Sequence, residues 1–387
     1  MSIKNLQKNY DAIIVGARCA GSATAMLLAR MGARVLVVDQ ATAGSDTLST
    51  HALMRGAVMQ LHSWGLLPQI AASGAPPILS TSFFYDKAEP IDINLRRSFG
   101  THALYAPRRV VLDSVLANAA EEAGATVLYG VRCRDLIKAA DGSVHGAILS
   151  DAEGRVRSVG AELVIGADGR QSTVAQSVGA ANVKMSNNAS KCVYGYFSGL
   201  SATGYQWHYE DHAAGGVIPT NNGQSCVFLS MANGAGPSIG KLSQENLFRK
   251  FIDHAMPRLG SAIGKGSLDG RLVGYSGAHG YLRQSCGDGW ALVGDAGYFK
   301  DPITAHGITD ALRDAQILAQ SWAECRLDDY VAIRDSLSQD LFRISDAIAG
   351  FNSSMSELMQ LHEDLNMAMK ANQEWIARNL NLVARAA

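Results

Sequence analysis

Two kinds of apolar pattern alternate along this chain: short continuous blocks that suit strands buried on both faces, and stripes at three- and four-residue spacing that suit helices. Residues 11–39, DAIIVGARCAGSATAMLLARMGARVLVVD, combine them as strand, glycine turn, helix with small residues at its start, and second strand, with Gly32 ending the helix. Residues 42–75 predict loop and helix, with Leu53, Val58, Leu61 and Leu66 at mixed helical spacing. From Ile78 to Phe99 the pattern shortens to alternating segments, STSFFYD and PIDINLRR, which suit antiparallel strands. RVVLDSVLANAAEEAGATVLYG then predicts a helix ended by Gly124 and followed by a strand. GSVHGAILSDAEGRVRSVGAELVIGADG predicts a β-meander that closes on another buried strand.

Residues 183–275 are again strand-like in KCVYGYFSGL, GYQWHYED and QSCVFLSM, with a helix over 243–255. GWALVGDAGYFKDPITAHGITDALRDAQILAQSWAE adds a buried strand, a loop and a long helix. Leu337, Leu341, Ile344 and Ile348 recur at helical spacing, so residues 327–386 predict amphipathic helices, with SMSE (Ser354–Glu357) as a capping box for the second. The pattern predicts an α/β protein with a Rossmann-type nucleotide domain in three segments, 1–77, 101–182 and 276–326. A mainly antiparallel β-sheet domain is inserted as 78–100 and 183–275, and a helical segment, 327–387, closes the chain. A long interface between two such domains is a usual place for a ligand cleft.

Composition narrows the classes. With 47% hydrophobic and 18% charged residues and 39 glycines among 387, the chain is globular and rich in tight turns, neither disordered nor fibrous. Lys plus Arg (34) balances Asp plus Glu (35), and only Arg96-Arg97 and Arg108-Arg109 approach a basic run, which argues against nucleic acid. The six cysteines show neither C-x-x-C nor a histidine at metal-ligand spacing, so they predict reduced thiols in a cytoplasmic protein without a metal site. The start has no export signal, and no stretch reaches the roughly 18 apolar residues of a membrane span, although a lipophilic substrate remains compatible.

The chemistry begins at GARCAG. Gly16 and Gly21 fit the first and third positions of a G-x-G-x-x-G phosphate loop, with Arg18 replacing the middle glycine. Asp39 ends the second strand, where a carboxylate accepts ribose hydroxyls and disfavours a 2′-phosphate, as FAD or NAD requires. Two further segments, LVIGADGRQSTV (Gly166, Asp168, Gly169) and WALVGDAGYFKDPITAHGITDAL (Gly294, Asp295, Pro302, Gly307), each follow an apolar strand and precede a helical stretch. In this order and at these distances, over residues 10–325, the three segments resemble the FAD-dependent oxidoreductases built like p-hydroxybenzoate hydroxylase. These are the class A flavoprotein monooxygenases, with geranylgeranyl reductases and flavin-dependent halogenases as relatives. The resemblance implies FAD, with Gly16 and Gly21 on the pyrophosphate, Asp39 on the adenosine ribose, and Gly294 and Asp295 at the ribityl chain; Arg18 then either keeps its side chain clear of the pyrophosphate or aims it at the phosphates or the isoalloxazine. The resemblance also implies Asp168 and Gly169 near the pyrophosphate, Arg109 of RRVVLD opening a helix that faces the flavin, and Pro302 to Ile308, including Gly307, running past the isoalloxazine.

The resemblance leaves the reaction open, because site rather than fold decides it. Its leading implication is a monooxygenase that uses NAD(P)H and O₂ on a medium-sized aromatic or polyketide-like molecule. Nicotinamide would dock transiently or act through a separate flavin reductase, since no second dinucleotide fold is visible. A geranylgeranyl reductase-type reductase or dehydrogenase needs the same cradle. Halogenation ranks behind, because YQWHYEDHAAGGVIP departs from the halogenases' W-x-W-x-I-P. Phe83, Phe84, Tyr85, Tyr194, Tyr196, Trp207 and Tyr209 are candidate pocket residues, with core packing as their alternative role. His51 and His306 are the candidate proton carriers near neutral pH. Pro302 serves either the turn or the reaction, and Asp113 and Arg55 are read as helix supports.

Overall fold

Each apolar block becomes a strand in the computed structural model, which describes residues 3–384 other than Leu48, with side chains as far as Leu380. Residues 1, 2 and 385–387 of the ranges above lie outside the described residues. Asn9–Val15 is the centre of an eight-stranded sheet, flanked in parallel by Val35–Asp39 and by Val156–Gly166, with Trp290–Leu292 parallel to the latter. Thr126–Tyr129 closes one side in parallel, and Val131–Lys138 and Val144–Asp151 form an antiparallel hairpin joined to Val156–Gly166.

The helices are α1 (Cys19–Arg30), α2 (Arg55–Ser63), α3 (Leu67–Ala72), α4 (Arg109–Glu122), α5 (Thr173–Val178), α6 (Ile239–Leu242), α7 (Glu245–Ala255), α8 (Pro257–Ile263), α9 (Gly307–Ala323), α10 (Leu327–Ala349) and α11 (Met355–Ala384). Strand alternation splits the first sheet between two cores. Ile14, Val37 and Ile165 pack under α1, α4 and α9, while Ile13, Val38 and Val164 pack with α5 and the hairpin. The helix expected over 243–255 is α7, and two short helices flank it: α6 precedes it, the chain breaks at Met256, and Pro257, which has no N–H to donate, begins α8.

The inserted segments form a seven-stranded sheet in the order Ser267–Tyr275, Ser190–Ser198, Gln224–Ala232, Ala213–Pro219, Tyr205–Glu210, Ser80–Tyr85 and Ile91–Asn94. One junction is parallel, where Ser80–Tyr85 meets Tyr205–Glu210, because the first of these strands arrives from the other domain rather than by a hairpin. One face packs on α6–α8 through Val193, Phe197, Val217 and Leu229; the other turns toward the first domain with Tyr194, Trp207, Tyr209 and Phe228. Asn182–Met185, Tyr281–Arg283 and Tyr298–Phe299 make a small third sheet that the alternation pattern did not predict.

The C-terminal helices straddle both domains. The capping box is present: the Ser354 N–H donates to Glu357 Oε2 at 2.8 Å and the Glu357 N–H to Ser354 Oγ at 3.4 Å. Along α11, His362 meets the second sheet while Ile376 meets Gly56 at the start of α2. Among the described residues, no helix is long and apolar enough to cross a membrane.

Candidate active site at a glycine cradle

The first glycine loop is shaped by close approach. Gly16 has φ +106°, and a Cβ there would lie 2.4 Å from the Ala167 carbonyl oxygen; at Gly21 a Cβ would lie 1.8 Å from the Gly16 oxygen. Only glycine lets this strand-to-helix turn close. No side chain caps α1, so its first-turn N–H groups and positive dipole end remain for an anion. Asp39 accepts the Ala17 and Ala41 N–H groups, each at 2.8 Å, tying the loop to the end of the second strand. A shallow cleft opens beside it, lined by Ala17, Arg18, Asp39, Thr42, Asp113 and Tyr129.

Arg18 is aimed along this cleft. Its side chain, 32% exposed, reaches Asp113 at 3.4 Å. Asp113 is thus more than the helix support expected of it: it takes Arg109 in a two-pronged pair at 3.0 and 3.1 Å and accepts from the Cys19 thiol at 3.0 Å. The first turns of α1 and α4 are thereby tied together through one carboxylate. Sequence reading missed it because α1 and α4 are far apart in the chain, although Arg109 and Asp113 stand at helical ion-pair spacing. Arg55, by contrast, donates to Thr101 Oγ1 at 3.3 Å and stays a structural residue.

The two glycine-aspartate segments complete the cradle. Asp168 caps the next turn, accepting the Thr173 N–H at 2.6 Å through Oδ2, while Oδ1 is buried without a partner and burial pushes its pKa up. Gly169 follows in a left-handed turn at φ +76°. Gly294, at φ +57°, stands where α1 and α9 meet, since a Cβ there would be 3.0 Å from Ala20 Cβ and 3.5 Å from Ala311 Cβ. Asp295 is half-buried, and no protein group hydrogen-bonds its carboxyl among the described residues; burial raises its pKa against the pull of Arg170, Lys300 and Arg109.

The loop before α9 is held from beneath. Asp301 accepts from both the Ser190 N–H and Oγ–H at 2.6 Å and from the Ile303 N–H at 3.0 Å, joining the two domains. Lys300 is buried and paired with Asp310, Arg313 joins Asp310 at 3.3 Å and Asp314 at 2.7 Å, and Arg313 reaches Asn372 of α11 at 2.7 Å. Burial, then the neighbouring Arg313 charge, lowers the Lys300 pKa to about 7. Above this network Pro302 and Gly307 are exposed, a Cβ at Gly307 would meet nothing, and His306 and Ile308 are buried. No side chain caps α9.

The donor set fits a dinucleotide. The N-termini of α1 and α9 meet at Gly294, that of α4 is tied to α1 through Asp113 and the mostly buried Arg109, none of the three is capped by a side chain, and the carboxylates of Asp168 and Asp295 keep acceptor capacity unspent. The FAD-binding domain family matches residues 9–341. The chain belongs to that family. It shares the p-hydroxybenzoate hydroxylase-like superfamily and is an FAD-dependent oxidoreductase. It is similar to digeranylgeranylglycerophospholipid reductase 2 of Methanothermobacter thermautotrophicus, at 27% identity over 81% of this chain and 78% of that one. Menaquinone reductase of Mycobacterium tuberculosis is 26% identical over 97% of this chain and 95% of that one. The solved structure of pqsL, a probable FAD-dependent monooxygenase from Pseudomonas aeruginosa, superposes with a TM-score of 0.76 at 19% identity, covering 92% of this chain and all of that one.

The second sheet supplies a wall beside the FAD-binding domain. His51, buried and at φ +48°, is fixed by two bonds: Nδ1 lies 3.1 Å from the Ala106 carbonyl, and Nε2 lies 3.1 Å from Tyr196 Oη. A carbonyl only accepts, so Nδ1 carries the proton and Tyr196 donates to Nε2. The Arg108 guanidinium stacks 3.5 Å over the Tyr196 ring, and Tyr194 Oη accepts the Ser49 N–H at 3.2 Å. His306 donates from Nδ1 to the Thr304 carbonyl at 2.5 Å. The expectation that these imidazoles titrate near neutral pH is corrected: burial first, then Arg108 for His51 and Lys300 for His306, pushes each down to about 3. Phe84 is also corrected, because it points to the far face and stacks on His208 at 4.3 Å. A residue missed in the sequence, His362 of α11, enters the wall, 2.8 Å from Tyr85 Oη and 4.5 Å from the Tyr209 ring centre.

Proposed function

We propose that this FAD-dependent oxidoreductase reduces a carbon–carbon double bond in a large apolar, isoprenoid-bearing molecule. The observation that carries the reading is the Tyr196–His51 pair, a hydroxyl held against a neutral imidazole on an aromatic wall. Saturating a double bond requires a hydride equivalent at one carbon and a proton at the other. Bound FAD, with Gly16, Arg109, Asp39 and Asp295 as its proposed holders, supplies the first when reduced. Tyr196 holds the second: its hydroxyl lies against the neutral Nε2 of His51, burial pushes its pKa up so that it keeps its proton until a substrate carbanion takes it, and the Arg108 charge above the ring offsets part of the cost of the phenolate left behind. Trp207, Phe83 and Tyr209 orient an apolar chain and exclude water.

The two relatives named above by sequence identity, each matched over four-fifths or more of this chain, are reductases of isoprenoid lipid and quinone molecules, which supports reduction ahead of oxygen insertion. A hydroxylase acting on an aromatic or polyketide-like molecule is the second reading, favoured by the dry, aromatic character of the same wall. NADH, NADPH or a separate flavin reductase is the proposed electron source. The test is anaerobic: reduced enzyme mixed with a polyprenyl lipid is expected to yield a product gaining two hydrogens as the flavin reoxidises. A product that forms only with O₂ and gains one oxygen would overturn the reading.

A further inference from the structure

Four of the eight exposed large hydrophobics among the described residues gather at the outer edge of the second sheet. Leu79, Ile91, Ile93 and Phe99 are 53, 41, 45 and 46% exposed, and all four belong to one short stretch of chain. Ser98 and Thr101 bond across a two-residue turn in which Phe99 has φ +49° and Gly100 φ +78°. Such turns favour asparagine and glycine, so a phenylalanine held in the left-handed region with its ring in water is costly to fold. Arg96 and Arg97 stand exposed beside it and pair with no carboxylate among the described residues. Asp92 lies between the two isoleucines in sequence but alternates to the opposite face, where Ser82 bonds to it.

This edge is continuous with the wall. Residues directly opposite one another across adjacent strands share a face. Ile91 stands opposite Phe83, Phe83 opposite Trp207, Trp207 opposite Gly216, Gly216 opposite Phe228, and Phe228 opposite Tyr194. The missing side chain at Gly216 makes room for the Phe228 ring, whose Cε1 would lie 2.7 Å from a Cβ there. The row therefore runs without a charged side chain from the exposed edge to the tyrosine that binds Ser49, two residues from His51.

We propose that this edge seats on an anionic lipid surface, with Phe99 and the two isoleucines entering the headgroup boundary and Arg96 and Arg97 on the phosphates, and that the row admits an apolar substrate from the bilayer to the site. The surface is a peripheral contact, aromatic and apolar residues flanked by arginines. The second half rests on the reductase reading; the first does not. Full-length FAD-loaded protein is sedimented with phosphatidylcholine vesicles and with vesicles that also contain phosphatidylglycerol. Wild type is expected to pellet with the second kind and much less with the first. Arg96→Glu with Arg97→Glu is expected to weaken that binding by more than roughly thirtyfold, about fivefold for each arginine lost at an anionic surface and more from the repelled glutamates, and Phe99→Ala to weaken it on both vesicle types. Equal pelleting on the two vesicle types, no effect of the arginine reversal, or a dimer in ultracentrifugation that Ile91→Asp dissociates would overturn the surface. With vesicle-borne polyprenyl lipid the arginine variant is expected to lose turnover, and with a short detergent-free analogue to keep it. Turnover of the short analogue alone, with vesicle binding intact, would overturn the path and leave the reductase reading standing. Binding without turnover of either substrate would count against the reductase reading.

Discussion

The two faces of the seven-stranded sheet are made by the same strands and differ in almost every chemical respect. On Ser190–Ser198, Val193 and Phe197 turn to α6–α8, while Cys192, Tyr194 and Tyr196 turn to the FAD-binding domain. The first face is mostly aliphatic, with Phe197 stacked on Phe248 at 6.3 Å, and what it asks of its residues is chiefly volume. The second carries hydroxyl tips on aromatic bodies, so it packs like a core and still places Tyr194 on Ser49 and Tyr196 on His51. Burial alone does not distinguish scaffold from site; what each buried side chain does with its polar atom does.

The largest effect that could break this contrast lies on the plain face. Phe248→Ala removes a fully buried ring from α7 and is expected to lower stability by about 3–5 kcal/mol. FAD affinity of the remaining folded protein should be unchanged, measured by urea unfolding alongside flavin titration. A matching loss of flavin affinity would show that the two faces are energetically one. On the other face, Tyr196→Phe is expected to slow product formation on the order of a hundredfold while FAD binding, flavin reduction by its donor and melting temperature stay near wild type. Equal turnover by the phenylalanine variant would return Tyr196 to core packing.

Acid gives an intermediate effect. His51 and His306 have folded pKa values near 3 against an ordinary 6.5, so the unfolded chain binds more protons throughout that window and stability falls as pH drops. Each is expected to contribute about 1.4 kcal/mol per pH unit below roughly 6.5, read as the pH dependence of urea midpoints. His51→Asn, which keeps a short polar side chain, is expected to flatten the slope by one proton. An unchanged slope would mean that this imidazole is solvated.

The strand, glycine and helix order of the first domain, and the start of α11, were legible because each element leaves a local mark: a continuous apolar block, a glycine where a Cβ would strike Ala167 or Gly16, a capping box at Ser354. The site was legible only in part. His362 reaches Tyr85 across 277 residues, and the parallel register that puts Phe83 beside Trp207 depends on a strand arriving from another domain. Neither leaves a periodic trace. The buried set of Lys300, Asp310, Arg313 and Asp314 was invisible for the same reason, since in sequence it reads as the solvated face of a helix. Asp113 could have been found from its helical spacing to Arg109, but its other two partners, Arg18 and Cys19, come from the start of α1.

The smallest effect is also the sharpest, because Phe83 and Phe84 are neighbours in sequence and opposites in the sheet. Phe84 stacks on His208, whose ring nitrogens are buried without partners and whose pKa burial lowers to about 4. Phe83 stands in the row between Ile91 and Trp207, with its ring centre 6.3 Å from that of His362. Phe83→Leu keeps apolar volume and removes a flat ring, so KM for an apolar substrate is expected to rise about threefold to tenfold, the worth of one aromatic contact beyond its area, while kcat holds. Phe84→Leu loses a comparable stack on the scaffold side, and its effect is expected in melting temperature with KM unmoved. Steady-state kinetics and thermal melts on the two variants separate these outcomes. If both variants shift KM alike, the substrate does not distinguish the faces, and the wall belongs to the core rather than to the site.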